Sequence, residues 1–121
     1  MAAPRTFQHL SQAQSGFKPP LISNDNCYLG DVFSSEKDNS AAPTAGGLFR
    51  LEAGQPLTYT YNFDEHKIIL EGEFEISDST GKAVKALPGD ILYIPTNTTL
   101  TFKTSTYGLA YYVAQRKQGE L

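Results

Sequence analysis

Two stretches decide the reading of this chain: Glu65-His66-Lys67-Ile68-Ile69-Leu70-Glu71-Gly72 and Pro88-Gly89-Asp90-Ile91-Leu92-Tyr93-Ile94-Pro95. Each is a short run of aliphatic, β-branched and aromatic residues bounded by glycine or proline, the pattern of a strand rather than of a helix. Between them lie two more such runs, Glu73–Ser77 and Ala83–Leu87, divided by Asp78-Ser79-Thr80-Gly81. The Asp, Ser and Gly of that break favour a tight turn, because they bond the local backbone or tolerate positive φ.

The same texture extends outward. Upstream come Cys27–Phe33, Leu48–Glu52 and Leu57–Tyr61, the last two separated by Ala53-Gly54-Gln55-Pro56. The run Lys67–Leu70 follows, and Thr99–Lys103 and Leu109–Ala114 complete the series. No stretch keeps a helical period over three turns. Eight or nine short strands in one small domain predict an all-β fold, a double-sheet sandwich or barrel. Ser34–Gly47 is a longer loop of small and polar residues, placed to cover a barrel mouth. Residues 1–26 are polar and turn-rich, with Pro19-Pro20 in their midst, and read as an arm packing on the barrel; residues 27–121 form the single barrel domain.

Composition narrows the function. The chain has 121 residues, 40% hydrophobic and 19% charged, enough for one core and typical of a globular protein. The net charge is −3 and the Lys and Arg residues are scattered singly, so there is no electrostatic footprint for nucleic acid. Cys27 is alone, which excludes an intrachain disulfide and a thiolate metal cluster. Residues 1–10 lack the apolar core of a signal peptide and no run reaches membrane-spanning length, so the expectation is a soluble cytoplasmic protein. The sequon at Asn97-Thr98-Thr99 carries little weight in that compartment.

Spacing makes the second half more specific. Glu65 is followed after six residues by Gly72, and Gly89 after five by Pro95, with the Asp78–Gly81 turn between. This joint pattern resembles the two motifs of the cupin superfamily, over residues 47–114, and implies a cupin jelly roll. The resemblance also implies a metal site whose histidines are replaced here. The two His-x-His positions are Tyr59 and Tyr61, the third histidine position is Leu100, and only Glu65 of the four ligands remains. One carboxylate does not hold a transition metal in a defined geometry, so no metal and no cofactor are expected. Within the cupins, Asn62-Phe63-Asp64-Glu65 with Leu70-Glu71-Gly72-Glu73, and Gly30-Asp31-Val32 and Ala45-Gly46 upstream, are similar to the EutQ-like group. That group has acetate kinase activity attributed to it. The only phosphate-loop fragment is Ser79-Thr80-Gly81-Lys82, and a hairpin turn explains it better, since the upstream glycine of a P-loop would fall at Ile76.

The cupin resemblance assigns faces. Tyr59, Tyr61 and Glu65 occupy inward positions; alternation then sends Lys67 and Ile69 inward and His66, Ile68 and Leu70 outward. Leu100, Phe102 and Thr104 form the inward set of another strand. The interior is therefore expected to be an apolar, aromatic pocket with a polar cluster of Tyr59, Tyr61, Glu65 and Lys67, the usual make-up of a small-molecule site. As catalytic candidates these four supply a general base, Glu65, and oxyanion stabilisers, Lys67 and the two phenols. Arg50, Ile69, Leu100, Phe102 and Thr104 are the substrate-contact candidates. The blander reading of each stands beside it: Glu65 and Lys67 as an internal salt bridge, Tyr59 and Tyr61 as fillers with satisfied hydroxyls, Arg50 and His66 as surface residues. The apolar outward pair Ile68 and Leu70 suits a second subunit, so a homodimer is expected. Three functions follow: a metal-independent lyase or isomerase acting on an oxygenated small molecule, a non-catalytic binding or assembly barrel, and the acyl-phosphate chemistry of the EutQ-like group.

Overall fold

A computed structural model describes residues 5–120. Ten strands follow a single short helix, α1 (Ala13–Gly16): β1 (Leu21–Ser23), β2 (Cys27–Ser34), β3 (Ala45–Glu52), β4 (Leu57–Thr60), β5 (Glu65–Gly72), β6 (Phe74–Asp78), β7 (Ala83–Ala86), β8 (Ile91–Ile94), β9 (Thr99–Lys103) and β10 (Tyr107–Ala114). They form two antiparallel sheets, one ordered β1-β2-β3-β10-β5-β8 and the other β4-β9-β6-β7. This is the all-β, double-sheet jelly roll of the cupins.

Each of the nine apolar runs coincides with a strand. β3, β5 and β10 begin two or three residues earlier than the apolar pattern, because backbone pairing continues through Ala45–Gly47, Glu65–His66 and Tyr107–Gly108. The loop between β2 and β3 is correspondingly shorter, residues 35–44. β1 is an added edge strand, three residues long, held by Leu21 opposite Tyr28 and Ser23 opposite Cys27.

Alternation along β5 is regular: Glu65, Lys67 and Ile69 are buried, while His66 is exposed and Ile68 half-buried. The β5–β10 register shifts at Leu70, between the Glu71–Leu109 and Ile69–Ala110 pairs, and just beyond it Gly72, opposite Gly108, has φ +68°. A Cβ at Gly72 would lie 2.0 Å from the Tyr107 carbonyl oxygen, so the six-residue spacing from Glu65 ends on a position that only glycine fits without strain. The inner faces meet in an aromatic core in which Phe49 stacks on Phe74 at 5.6 Å and takes Phe102 edge-on at 5.4 Å. The Asp78–Gly81 break is a hairpin turn: Asp78 Oδ1 accepts from the Thr80 N–H, the Thr80 hydroxyl and the Lys82 N–H at 2.9, 2.7 and 3.0 Å.

Candidate functional site

The barrel opens laterally where β1 and β2 of one sheet face β4 of the other. Ile22, Leu29 and Leu57 line the opening, and Phe49, Phe63, Tyr59, Tyr61, Glu65 and Lys67 line the cavity of about 270 Å³ behind it. A cavity of roughly 150 Å³ takes one benzene, so this one suits a molecule somewhat larger than a single ring.

Glu65 and Lys67 sit two residues apart on one strand and therefore share the inner face. Their side chains are 4% and 2% exposed, and Lys67 Nζ donates to Glu65 Oε2 at 2.7 Å. Three rings surround the ammonium: Phe49, Tyr112 and Phe102 centre 4.9, 5.3 and 5.7 Å from Nζ. Their negative faces offset the loss of water around the cation. A carboxylate and an ammonium this deep persist because each satisfies the other.

Tyr59 and Tyr61 pack edge to face, 4.9 Å between centroids, and Phe63 stands edge-on to Tyr61 at 5.7 Å. Burial, and then the Glu65 charge, push the Tyr61 phenol well above the ordinary tyrosine range. Tyr59 is raised by burial and Glu65, against an opposing effect of Arg116. Both hydroxyls are thus neutral at physiological pH and keep their protons to donate. Burial likewise pushes the Cys27 thiol to about 11, partly countered by the nearby Lys67.

The four catalytic candidates are therefore brought together. The five substrate-contact candidates are not: none of them lines the cavity. Arg50 is on the outer face, where it pairs with Glu52 at 3.1 Å and lies over Tyr107 at 4.6 Å. Ile69 and Phe102 are inward but fully packed in the core beneath the pair. Leu100 faces a separate depression near Ile76 and Leu92. Thr104 is buried beyond the end of β9, its hydroxyl accepting from the Thr106 N–H at 3.2 Å.

A second buried cluster, centred on Asp31, lies outside the predicted site residues. Asp31 accepts from the Tyr112 hydroxyl at 2.6 Å, from both terminal nitrogens of Arg116 at 2.9 and 3.0 Å, and from the Gly119 N–H at 2.7 Å. Burial alone would raise the Asp31 carboxyl, but these donors hold it below the usual carboxylate range. Asp31 in turn raises Arg116 despite that residue's burial. The cluster straps residues 116–119 to β2, and the guanidinium lies 5.5 Å from the Phe63 ring at the edge of the cavity.

The donor set does not fit the divalent metal of metal-binding cupins. Glu65 is engaged by Lys67, the phenols are held protonated, and the His66 ring is on the outer face against Tyr93 at 5.2 Å. Among the described residues no three His, Cys, Asp or Glu side chains come together. Likewise, no helix among the described residues is long and apolar enough to cross a membrane.

No curated protein sequence matches the chain, but solved structures do. An ethanolamine utilisation protein Q from Salmonella typhimurium is 29% identical, with a TM-score of 0.64 over 76% of this chain and 71% of that one. The Clostridium difficile EutQ protein is 25% identical, with a TM-score of 0.62 over 74% of this chain and 61% of that one, so the chain spans well under the full length of that relative. A protein of unknown function from Rhizobium leguminosarum is 27% identical, with a TM-score of 0.66 over 93% and 97% of the two chains. The sequence pattern of the family described as ethanolamine utilisation protein EutQ matches residues 22–117. With most of its length matched to that pattern on a cupin barrel, the chain belongs to the EutQ family of the cupin superfamily.

Proposed function

We propose that the barrel is a cofactor-free acid–base enzyme acting on an oxygenated small molecule, with Glu65 as general base. The observation that carries the reading is the Glu65–Lys67 pair on the wall of an otherwise apolar cavity, with two protonated phenols beside it. Lys67 and the Tyr59 and Tyr61 hydroxyls are donors for an oxygen on which negative charge develops. When a substrate carbonyl or hydroxyl draws the ammonium toward itself, Glu65 is released to take a proton from the adjacent carbon. Return of that proton to a different atom is an isomerisation; departure of a β-substituent instead is an elimination. A positioned base contributes roughly 10²–10⁴-fold and one oxyanion donor about 10²–10³-fold, so loss of either is readily measured.

The test is proton exchange. Small enolisable ketones and 2-keto acids of up to about a dozen heavy atoms, the range set by a cavity larger than the roughly 150 Å³ that holds benzene, are incubated with the protein in D2O and followed by NMR. The expected result is exchange at the α-carbon that Glu65→Gln abolishes while circular dichroism is unchanged. Exchange at the wild-type rate in Glu65→Gln would remove Glu65 as the base.

The closed Glu65–Lys67 bond at 2.7 Å favours a second reading, a barrel that binds a small molecule without transforming it. Ligand-dependent stabilisation with no product distinguishes this case. Acetate kinase activity, implied by the EutQ-like resemblance, finds no phosphate cradle at Ser79–Lys82, which is an Asp78-held turn. Incubation with ATP and acetate tests it directly.

A further inference from the structure

Among the described residues two ion pairs are buried on both sides, and they are built differently. In the strap, Asp31 accepts from Tyr112, from both terminal nitrogens of Arg116 and from the Gly119 N–H. Its cation is a guanidinium, which does not give up its proton in a protein. Neither Asp31 nor Arg116 lines the cavity. The Glu65–Lys67 pair is the reverse in each respect. It lies on the cavity wall, one hydrogen bond of 2.7 Å joins the two side chains, and its cation is an ammonium. An ammonium can surrender its proton and then act as a nucleophile.

Among the described residues that line the cavity, Lys67 alone carries an amine. The surroundings of Nζ match what an imine needs. Its proton has an acceptor in Glu65 Oε2. The faces of Phe49, Tyr112 and Phe102, 4.9, 5.3 and 5.7 Å away, accommodate a cation held at that nitrogen, an iminium as well as an ammonium. The apolar wall of Leu29, Leu57 and Phe63 excludes water, which favours dehydration of a carbinolamine. Tyr59 and Tyr61 keep their protons to donate to a carbonyl oxygen under attack.

We infer that Lys67 acts covalently, forming an imine with the carbonyl carbon of an uncharged aldehyde or ketone bound in the cavity. The inference rests on the acid–base reading of this cavity and adds a bond to it. Lys67 gives one proton to Glu65, and the lone pair of the neutral amine forms the C–N bond while the carbonyl π pair moves to oxygen. That oxygen takes a proton from the nitrogen. Glu65 then protonates the resulting hydroxyl, and the C–O bond breaks to release water. The product is a protonated imine beside a carboxylate, so the pair ends with the charges it began with and nothing is oxidised or reduced. Glu65 next takes a proton from the α-carbon, leaving a neutral enamine on Lys67. An uncharged compound suits the wall, because its described residues carry one cation and one anion, already paired, and offer a charged substrate group no partner of its own.

The experiment is reductive trapping. The native protein is incubated with propanal or phenylacetaldehyde and cyanoborohydride, which reduces an iminium to a stable amine, and adducts are located by peptide mass spectrometry. The expected result is an adduct at Lys67, of the aldehyde's mass less one oxygen atom, formed ahead of any at the exposed Lys82, Lys85 and Lys103. Lys67→Arg, which keeps the positive charge beside Glu65, is expected to lose that adduct while the exposed lysines label as before and circular dichroism is unchanged. Labelling of the exposed lysines by both aldehydes with Lys67 intact overturns the inference. Proton exchange in D2O with the same aldehydes separates this failure from that of the acid–base reading. Glu65-dependent exchange without an adduct overturns the imine alone; an adduct at Lys67 without exchange upholds the imine and removes Glu65 as the base.

Discussion

Replacing Lys67 with Met should cost a large part of the barrel's stability. The substitution keeps an unbranched side chain of similar length within the ring of Phe49, Phe102 and Tyr112, so packing changes little. It removes the ammonium from a carboxylate that is 4% exposed and 2.7 Å away, leaving Glu65 buried and uncompensated. Breaking a buried pair from one side costs about 3–5 kcal/mol. A chain of 121 residues has a total stability of roughly 6–18 kcal/mol, so the loss is a large fraction of it. At this size the loss should lower Tm by roughly 10–20 °C. The double variant Glu65→Gln with Lys67→Met removes both charges and should recover most of the loss, settling within about 2 kcal/mol of wild type. Urea unfolding followed by circular dichroism on all four members of the cycle gives the coupling. If Lys67→Met loses less than about 1 kcal/mol, or the double variant is as unstable as the two singles combined, the pair is behaving as a solvated one and the buried-pair argument fails.

Three further outcomes follow from other parts of the molecule. Asp31, held below the usual carboxylate range by Arg116, Tyr112 and Gly119, stabilises the fold above about pH 4. That contribution disappears as pH falls through its lowered folded value. Asp31→Asn should therefore have a lower urea midpoint than wild type at pH 7, with the gap closing in strong acid; a gap independent of pH contradicts the strap. Cys27, pushed to about 11, has a thiolate fraction of about 10⁻³ at pH 8, so a disulfide reagent should label it only after denaturation, and stoichiometric labelling of the native protein within minutes would refute its burial. Gly72→Ala places a methyl against the Tyr107 carbonyl at a positive φ and should cost more than about 2 kcal/mol; an unchanged urea midpoint would mean that the close approach of the Tyr107 carbonyl does not require glycine there.

The fold was legible because most of its signals are local. Alternation across Glu65–Leu70, the Asp78–Gly81 turn and the Gly89–Pro95 spacing each fix a strand or a turn within ten residues, and the sheets follow from joining them. β1 was not legible, since three residues beside Pro19-Pro20 carry no pattern and are strand only because β2 offers them partners. Arg50 shows a different limit. It is one residue from an inward Phe49 and one from an inward Leu51, so strict alternation sets it outside, and nearness in sequence to the pocket strand was no guide to the pocket. Asp31 stands in Gly30-Asp31-Val32, and nothing local joins it to Tyr112 and Arg116, 81 and 85 residues away.

The chemistry of the site was legible to the same degree as its faces. The cupin resemblance put Tyr59, Tyr61 and Glu65 on one inner surface and alternation added Lys67, but the 2.7 Å contact and the rings around Nζ depend on β3, β9 and β10, which meet β5 only in the folded barrel. Those rings explain why a carboxylate at Glu65 is compatible with phenols where other cupins place imidazoles. A metal-binding cupin balances that carboxylate with the charge of the metal. Here the balancing charge is covalent, supplied by Lys67 two positions along the same strand, and an ammonium needs no imidazoles to hold it. Tyr59 and Tyr61 are then free to wall the cavity as neutral donors. The interior keeps its charge neutrality with a cation on a flexible stem, whose four side-chain torsions are what the proposed function would use to carry Nζ from Glu65 to the oxygen of a bound molecule. Under the proposed function, that reach would tie release of Glu65 to arrival of the substrate.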